Sequence, residues 1–398
     1  MTIEGTARRY MAGAHALIDL DAYAHNIRAL RAAAPAGSAF MAVVKADAYG
    51  HGAIQCALAA ESVANWLGVA RIQEALAIRN RGVRLPILVL GPANAEEVES
   101  ALVRDITLTV GAVEHVEQAA QAARKVGVRA TVHLKIDTGM RRYGVMPRDA
   151  AEIAELIARQ ESLHLEGVFT HFSSADESDA APTERQIAEF DAAIKRIRGR
   201  GIEPRLTHCA NSAAILAKLT GTTNLVRSGI ATFGISPSAE VLVPPSFQQI
   251  MSFRTVATRV FDLEPGDGVS YGLSYRAQER ERVAATAAGY ADGLPRQLSN
   301  TGWFALGDAC YPIRGRVCMD QTVIASDERM AIGDIIDIIR PAGSRAMTLD
   351  DVARIAGTNS YEIATRITAR VPRLYVRAGK VVACEHTLLG ESVVAGQP

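Results

Sequence analysis

The sequence predicts an α/β protein with two parts, an N-terminal (β/α)8 barrel of the TIM type and a mainly-β C-terminal domain. Eight short apolar segments alternate with segments of helical pattern between residue 39 and about residue 235, which is the order that such a barrel requires. After Pro244 and Pro245, strand-like segments follow one another with turn residues between them. We therefore assign residues 12–245 to the barrel and residues 246–385 to the second domain.

The predicted barrel strands are short and apolar, and several of them contain almost no polar residue. This composition is typical of parallel strands that helices cover on both faces. The segments between them have the helical period, as in AVEHVEQAAQAARKVG and DAAEIAELIARQ. We place the eight strands at residues 39–45, 66–70, 86–90, 106–110, 129–137, 165–172, 205–210 and 224–230.

The second domain is predicted to be rich in strands. Alternating stretches such as RTVATRVFDL and DIIDII are separated by turn sequences such as EPGDG and IGD. Two helices are predicted at TLDDVARIAG and SYEIATRITA. The strand-like segment HALIDL precedes the barrel, and residues 12–20 are therefore a candidate for pairing with the second domain.

Composition and charge exclude several classes of function. The 43 basic and 43 acidic residues give a formal net charge of zero, so no basic surface is expected that would bind nucleic acid or an anionic membrane. The five cysteines are odd in number and form no CxxC pair, which argues against a disulfide framework and a structural zinc site. We find neither a signal peptide nor an apolar segment of about 18 residues, and we expect a cytoplasmic protein.

Polar residues collect at the predicted C-terminal ends of the barrel strands, where barrel enzymes have their active sites. Lys45 ends the first strand, and His171 ends the sixth. Asn211 and Ser212 follow the seventh strand, and Arg227 lies in the eighth. Each residue alone has an ordinary structural explanation; Asn211 and Ser212, for example, fit a helix N-cap. Their convergence on one face of the barrel instead indicates a site for an anionic small molecule.

A phosphate-binding site is predicted near the seventh and eighth strands, where barrels commonly bind phosphate. Small residues allow a ligand to approach backbone N–H groups closely, and Ser212, Gly229 and Ile230 provide such donors. With Lys45 on the same face, this arrangement favours pyridoxal 5'-phosphate as the cofactor. The phosphate of that cofactor is anchored while a lysine amine forms a Schiff base with its aldehyde.

The motifs AVVKADAYGHG, KIDTGMRRYG, VRSGI, VSYG, GYADG, GRVCMDQ and SYE together resemble those of alanine racemases. The resemblance extends from about residue 12 to residue 376. It implies a barrel that binds pyridoxal phosphate and a C-terminal β domain. It also implies a head-to-tail homodimer in which the partner's second domain completes each active site. The implied reaction interconverts L-alanine and D-alanine and supplies D-alanine for peptidoglycan.

The resemblance implies roles for individual residues. Lys45 carries the cofactor as a Schiff base and is one catalytic residue, and Tyr271 of the partner chain is the other. His171 is implied to link Tyr271 to Arg227, which faces the pyridine nitrogen. The residues implied to bind the cofactor are Lys45, Tyr49, His171, Asn211, Ser212, Arg227, Gly229, Ile230 and Tyr361.

Further residues are implied to bind the substrate. Arg142 approaches the cofactor's phenolic oxygen and the substrate carboxylate, while Met319 and Tyr290 of the partner chain bound the pocket. The family often has a small residue where Arg141 stands, but spacing to the glycine of MRRYG favours Arg142 as the functional arginine. Lys135 matches a lysine that is carbamylated in some members.

These residues fit racemisation, which removes a proton from one face of Cα and returns a proton to the other. Two bases on opposite faces, Lys45 and Tyr271, avoid moving a single base around the substrate. Their ordinary pKa values of about 10.4 and about 10 are too high for efficient bases near neutral pH. Positive charge from Arg142 and Arg227 is expected to lower both. Arg227 is also expected to leave the cofactor's ring nitrogen unprotonated, because a guanidinium does not accept a proton.

Three alternatives remain open at this point. A non-catalytic pyridoxal-phosphate protein would be a single barrel without the second domain. A decarboxylase of basic amino acids would use an acidic residue at the ring nitrogen and a catalytic cysteine; Cys318 is the candidate cysteine, but Arg227 argues against this class. A racemase for serine, lysine or a broad range of amino acids differs in pocket size, which the sequence does not fix, and alanine is favoured.

Overall fold

The computed structural model describes residues 2–341 and 343–395, and within them the predicted fold class is confirmed. Parallel strands form a barrel in the N-terminal part, and a mainly antiparallel sheet forms in the C-terminal part. The strands of the described residues are β1 (His15–Asp19), β2 (Ala39–Val43), β3 (Trp66–Val69), β4 (Ile87–Pro92), β5 (Thr107–Val110), β6 (Ala130–Lys135), β7 (Leu163–Phe169), β8 (Leu206–His208), β9 (Leu225–Ser228), β10 (Met251–Leu263), β11 (Gly268–Val269), β12 (Tyr275–Arg276), β13 (Glu281–Thr286), β14 (Trp303–Leu306), β15 (Ala309–Pro312), β16 (Thr322–Ala325), β17 (Ile335–Ile339), β18 (Arg373–Arg377), β19 (Lys380–His386) and β20 (Glu391–Val394).

Right-handed α-helices follow most of the barrel strands, and short 3₁₀ turns are found mainly in the C-terminal part. The α-helices span Ile3–Tyr10, Leu20–Ala33, Ala53–Ala60, Ile72–Arg79, Ala95–Leu102, Val113–Val126, Ala150–Ala158, Ala181–Arg198, Ser212–Leu216, Leu349–Ala356 and Ser360–Thr365. The 3₁₀ turns span Ile230–Phe233, Tyr271–Leu273, Tyr290–Asp292, Arg296–Leu298 and Thr387–Leu389. In the described ranges, no helix is both long enough and apolar enough to cross a membrane.

The chain forms two compact units. The barrel unit comprises Ala24–Tyr49 and Cys56–Phe247. The β unit comprises the described residues up to Tyr23, the short segment Gly50–Gln55 and the described residues from Gln248 onward. The chain therefore passes from the barrel unit to the β unit and back within the motif that follows Lys45.

The barrel unit contains eight parallel strands in the order β8-β7-β6-β5-β4-β3-β2-β9. The two end strands of this order are joined by backbone hydrogen bonds. The N–H of Asn224 donates to the C=O of Thr207 at 3.0 Å, and the N–H of Arg227 donates to the C=O of Ala210 at 2.9 Å. Because the strands are parallel, their C-terminal ends meet at one rim, where active sites of such barrels lie.

Most barrel strands are shorter than the sequence predicts. The strand predicted at 39–45 ends as β2 at Val43, and the strand predicted at 165–172 ends as β7 at Phe169. The last two strands of the barrel are shortened as well. The predicted strand at 205–210 ends as β8 at His208, because the side-chain oxygen of Asn211 caps the helix Ser212–Leu216 by accepting from the N–H of Ala214 at 2.9 Å. The predicted strand at 224–230 ends as β9 at Ser228, where a 3₁₀ turn follows. The motif residues after each strand therefore lie in rim loops rather than in the ladder.

The β unit is built on a ten-stranded sheet with the order β15-β14-β17-β10-β1-β18-β19-β20; off this order, β13 pairs with β10 and β16 pairs with β13. The early strand β1 lies in the middle of this sheet. It pairs antiparallel with β10, where Ala16 opposes Phe253, and parallel with β18, where Ile18 opposes Tyr375. All four of these side chains are fully buried, as expected for the centre of a sheet.

The segment Gly50–Gln55 packs tightly within the β unit. The C=O of Gly50 accepts hydrogen bonds from Nε and Nη2 of buried Arg373 at 3.3 and 3.2 Å. A β-carbon at Gly52 would lie 1.8 Å from the hydroxyl oxygen of Tyr375. The two glycines of the sequence YGHG are therefore required by close packing and by their positive φ angles of 83° and 95°.

Candidate active site

Lys45 lies two residues after the end of β2 and begins a left-handed turn. The next four residues, 46–49, have φ angles between 51° and 55°, and none of them is glycine. An L-residue in this region costs roughly 1–2 kcal/mol. The turn is supported by Glu74, whose Oε1 accepts from the N–H of Ala46 at 2.6 Å. Backbone strain of this kind is concentrated at functional sites, and here it lies next to the predicted catalytic lysine.

The amine of Lys45 is in an environment that favours its neutral form. Burial is the main cause that lowers the pKa of Lys45, and the positive charge of Arg142 lowers it further. The charge of Glu74 acts in the opposite direction, and that of Arg227 adds a smaller lowering. The amine lies 5.9 Å from the ring centroid of Tyr49. A larger fraction of Lys45 is therefore neutral near pH 7 than for an ordinary lysine, and the neutral amine is the form that acts as nucleophile or base.

Arg227 lies at the end of β9 and is buried among neutral acceptors. Its Nη1 donates to Nδ1 of His208 at 3.0 Å, and its Nη2 donates to the backbone oxygens of Thr170 and Cys209 at 2.8 and 3.0 Å. Burial lowers the pKa of Arg227 to about 10, so the guanidinium stays charged at neutral pH. Among the residues that the structure describes, no carboxylate forms an ion pair with it.

His171 follows β7 and contacts Arg227. The distance between Nη2 of Arg227 and Nδ1 of His171 is 3.4 Å. Burial holds the pKa of His171 well below its ordinary value, and the charges of Arg227, Arg142, Lys135 and Lys45 act in the same direction. The imidazole is therefore neutral, and since a guanidinium can only donate, the proton of His171 lies on Nε2.

The residues predicted to bind phosphate lie together on the rim at β8 and β9. The hydroxyl of Ser212 accepts from the N–H of Gly229 at 3.1 Å and from the N–H of Ala231 at 3.5 Å, and it contacts the hydroxyl of Ser228 at 2.8 Å. A β-carbon at Gly229 would lie only 2.3 Å from the hydroxyl oxygen of Tyr49. Backbone N–H groups, hydroxyls and a required glycine therefore form a compact donor set that suits a phosphate.

The loop after β6 contains Arg142 and follows Lys135. The amine of Lys135 lies 4.9 Å from the ring centroid of Tyr143 and 5.5 Å from that of Phe169. Burial lowers the pKa of Lys135 to about 8, and the charges of Arg227 and Arg142 contribute. The charge of Arg142 thus acts on Lys45, His171 and Lys135, whereas the guanidinium of Arg141 contacts the sulfur of Met146 at 3.2 Å.

The remaining predicted residues lie in the β unit. Tyr271, Tyr290 and Met319 are 73%, 42% and 52% exposed. Backbone hydrogen bonds connect two of them, because the N–H of Tyr290 donates to the C=O of Cys318 at 2.9 Å and the N–H of Ala291 donates to the C=O of Met319 at 3.0 Å. Tyr271, the third residue, is connected to the other two through its neighbour Ser270, whose hydroxyl lies 3.0 Å from the sulfur of Cys318. We call Tyr271, Tyr290 and Met319 the exposed triplet.

Comparison with known proteins identifies the family. The family model "Alanine racemase, N-terminal domain" matches residues 18–237, and "Alanine racemase, C-terminal domain" matches residues 250–375. The chain belongs to the alanine racemase family. It is 38% identical over 362 residues to an alanine racemase of Desulfovibrio desulfuricans, covering 90% of this chain and 97% of that one. It is 40% identical over 369 residues to an alanine racemase of Geobacillus kaustophilus, covering 92% and 95%.

A solved structure agrees with this assignment. The alanine racemase of Clostridium difficile 630 superposes with a TM-score of 0.90 at 33% sequence identity, covering 94% of this chain and 99% of that chain. Both family domains are matched, so the single-barrel alternative without a second domain does not fit. The position of Arg227 and the family assignment also disagree with a decarboxylase.

The predicted site residues of this family member fall into two groups. The barrel unit brings together Lys45, Tyr49, Lys135, Arg142, His171, Asn211, Ser212, Arg227, Gly229 and Ile230. The β unit contains Tyr271, Tyr290, Met319 and Tyr361, the last of which is half-buried in the helix Ser360–Thr365. The side-chain oxygen of Asn211 is used as a helix cap, an alternative that the sequence had left open.

Sequence reasoning missed three acidic or basic side chains that the structure connects to the site. Glu74 supports the left-handed turn, and His133 and Glu166 are linked to Arg227 through His208. The one available signal was the presence of His133 and Glu166 within predicted barrel strands, where a buried ionisable residue usually has a specific partner.

Proposed function

We propose that this protein interconverts L-alanine and D-alanine by a two-base mechanism, with pyridoxal 5'-phosphate as cofactor. The relation between Lys45 and Arg227 carries the proposal. Lys45 lies two residues after the end of β2, and Arg227 lies in the neighbouring strand β9, where it opposes Met41. An amine with a lowered pKa and a buried guanidinium are thereby presented at the same rim, and the charge of Arg227 is one of the causes that lower the pKa of Lys45.

The residues present fit the cofactor. When bound, pyridoxal phosphate supplies an aldehyde that forms a Schiff base with an amine and an electron-withdrawing ring that acidifies Cα of the substrate. Lys45 is the amine proposed to hold it. Tyr49, Ser212 and the backbone of Gly229 and Ile230 would bind its phosphate, with Asn211 fixing the helix that follows. We assign Tyr361 of the β unit to the same phosphate.

Lys45 is proposed to move the proton on one face of the substrate. Its lowered pKa increases the fraction of free amine that can accept the proton of Cα. Once protonated, the same nitrogen can return a proton to that face. Arg142 is proposed to bind the substrate carboxylate, and Lys135, if carbamylated, would position this arginine.

Arg227 is proposed to donate a hydrogen bond to the cofactor's ring nitrogen. Its pKa of about 10 keeps the guanidinium protonated and charged at neutral pH. It therefore offers hydrogen bonds without accepting a proton, so the ring nitrogen remains unprotonated. This arrangement favours proton exchange at Cα over reactions that need a strongly electron-accepting ring. His171 is proposed to connect Arg227 to the phenol of Tyr271.

The second base is proposed to come from a second copy of the chain. Tyr271 is 73% exposed, and it belongs to the exposed triplet on the surface of the β unit. Large side chains exposed together in this way are typical of interaction sites. In a head-to-tail homodimer, Tyr271 of one copy would serve the opposite face of Cα in the other, while Tyr290 and Met319 would limit the pocket.

The physiological role is proposed to be supply of D-alanine for peptidoglycan in the cytoplasm. The five cysteines are unpaired in the described residues, which fits a reducing compartment. No nucleic acid or membrane partner is proposed, because the net charge is zero.

The deciding experiment measures the product with each candidate substrate. The purified protein is incubated separately with L-alanine, L-serine and L-lysine, and both enantiomers are quantified by chiral chromatography. We expect D-alanine to form fastest, and the Lys45→Ala variant to form none. Faster conversion of serine or lysine would replace alanine by a broader or different specificity, and no racemisation of any substrate would overturn the proposal.

A further inference from the structure

A chain of hydrogen-bonded side chains leads through the barrel unit from a surface arginine to Arg227. The guanidinium of Arg205 donates to Oε1 of Glu166. The other oxygen of this carboxylate, Oε2, lies 3.3 Å from Nε2 of His133. Nδ1 of His133 lies 2.8 Å from Nε2 of His208, and Nδ1 of His208 lies 3.0 Å from Nη1 of Arg227.

Each hydrogen bond in this chain has only one possible direction. A guanidinium can only donate, so Nδ1 of His208 accepts from Arg227. A neutral imidazole then has its proton on Nε2, which His208 donates to Nδ1 of His133. By the same argument His133 has its proton on Nε2 and donates it to Glu166. This series of hydrogen bonds therefore assigns a single tautomer to each histidine.

The ionisation states of the hydrogen-bonded side chains agree with these tautomers. Burial is the main cause that lowers the pKa of both histidines. The charge of Arg227 helps to hold the pKa of His208 well below its ordinary value, whereas the hydrogen bond and charge of Glu166 oppose burial at His133 without reversing the lowering of its pKa. Burial opposes ionisation of Glu166, but hydrogen bonds from His133 and Arg205 outweigh it and lower the pKa of Glu166 to about 2. Two neutral imidazoles thus connect a carboxylate to a guanidinium.

The backbone is shaped to allow the contact between Glu166 and His133. Along the pair β6 and β7, Val132 opposes Leu165 but His133 opposes Gly167, so Glu166 is the extra residue of a β-bulge. A bulge re-aims a side chain that regular alternation would direct elsewhere. Gly167 is required as well, because a β-carbon there would lie 2.6 Å from Cε1 of His133.

The ring of His208 is held in place beside Arg227. It stacks on the ring of Phe169 with the centroids 4.7 Å apart and an angle of 5° between the planes. His133 and His208 are both fully buried, and each of their ring nitrogens has a hydrogen-bond partner. Buried side chains that are fully hydrogen-bonded to one another hold each other in a single arrangement. Here the last member of the series is Arg227.

We propose that Glu166 and His133 are positioning residues which act through His208 to fix the orientation of Arg227. Glu166 selects the tautomer of His133, His133 selects that of His208, and His208 presents a lone pair to Nη1 of Arg227. The inference rests on the function proposed for Arg227, but its central statement, the two tautomers, can be measured without any assay of activity.

The first test reads the tautomers directly. The protein purified with its cofactor is labelled with ¹⁵N-histidine, and long-range ¹H–¹⁵N correlation spectra identify which ring nitrogen has the proton. Signals of His133 and His208 are assigned from their glutamine variants. We expect both histidines to be neutral with the proton on Nε2. A proton on Nδ1 of either ring, or a doubly protonated ring, would overturn the proposal even if every variant at Glu166 failed to fold.

The second test compares two substitutions of Glu166. In Glu166→Gln the amide oxygen can still accept from His133, whereas Glu166→Ala removes the acceptor. We expect Glu166→Ala to give mixed tautomers at both histidines and a kcat about tenfold lower, with KM changed by less than about twofold, because one hydrogen bond to a charged group is lost. Glu166→Gln should retain the wild-type tautomers and most of kcat.

The matched control is Glu155→Ala, which removes another barrel glutamate that pairs with Arg200 at 2.9 Å but contacts no histidine. Its spectra and kcat should be those of the wild type. Wild-type tautomers and kcat in Glu166→Ala, or equal losses in Glu166→Gln and Glu166→Ala, would refute the positioning role. A wild-type protein that racemises no alanine would end the proposed function instead, while its histidine spectra would still decide the present inference.

Discussion

The hydroxyl oxygen of Tyr49 lies 2.3 Å from the point that a β-carbon at Gly229 would occupy. The φ angle of Gly229 is −110°, so its backbone does not require glycine; the contact with Tyr49 does. The two residues belong to the donor set that we assign to the cofactor phosphate, and this close approach makes that assignment testable.

Gly229→Ala should weaken binding of pyridoxal phosphate by at least about tenfold, because the new methyl group displaces the phenol of Tyr49 and one charge-assisted hydrogen bond is lost. The dissociation constant is measured by fluorescence titration of the cofactor-free protein. The control is Gly199→Ala, where φ is −61° and the nearest atoms lie 3.4 Å from the added carbon. Equal affinity of the two variants would contradict the phosphate assignment.

Ala46→Gly should raise the free energy of unfolding by about 0.5–1 kcal/mol, because glycine adopts the φ of 52° at this position without the strain that an L-residue has. Urea unfolding of wild type and variant measures the difference. Ala192→Gly, at an exposed position within the right-handed helix Ala181–Arg198, should lower the stability by a similar amount. A loss of stability in both variants would contradict the left-handed turn.

Lys135 should react with carbon dioxide at a lower pH than an ordinary lysine. The pKa of about 8 means that its neutral amine, the reactive form, becomes the major species as pH rises through about 8 rather than through 10.5. We expect ¹³C NMR in labelled bicarbonate to show a carbamate signal at pH 8 that is absent from Lys135→Met. Lys125→Met, which changes an exposed lysine, should retain it. A signal that survives in Lys135→Met would assign the carbamate elsewhere.

A mixture of two inactive variants, one changed at Lys45 and the other at Tyr271, should regain activity if each active site is shared between two copies of the chain. A mixed dimer of Lys45→Ala and Tyr271→Phe would contain one site with both residues intact and one with neither. Random exchange of subunits then gives about a quarter of the wild-type racemisation rate. The rate is measured after unfolding and refolding the two variants together.

A mixture of Lys45→Ala with Lys45→Arg is the control for that experiment, because no intact site can form in it under any arrangement. If Lys45 and Tyr271 of a single chain served the same site, the first mixture would remain as inactive as this control. That result would exclude the shared site and leave Tyr271 without a role across the dimer.

Much of the barrel unit could be predicted from the sequence because its strands are largely apolar and are separated by helical patterns. The rim residues Lys45, His171 and Arg227 could be predicted for the same reason, since the C-terminal ends of parallel strands always meet. The family motifs added Arg142 and the residues of the β unit.

Other features were hidden from sequence reasoning for physical reasons. Residues 46–49 contain no glycine, and of the residue types that favour positive φ angles only Asp47 is present. The run of four such angles is supported by the contact with Glu74, which only the folded chain has. The bulge at Glu166 depends on the register between two strands, and a register is not visible in either strand alone. The chain of side chains from Glu166 to Arg227 was therefore missed.

The place of β1 in the β unit has a consequence for biosynthesis. This strand is translated well before its two neighbours, β10 and β18, the second of which ends at Arg377. Until β10 is made, β1 presents two open edges, and until β18 is made it keeps one; such edges are prone to pair with other chains. Premature termination before β18 should therefore give a product that aggregates, even where its barrel unit has already folded.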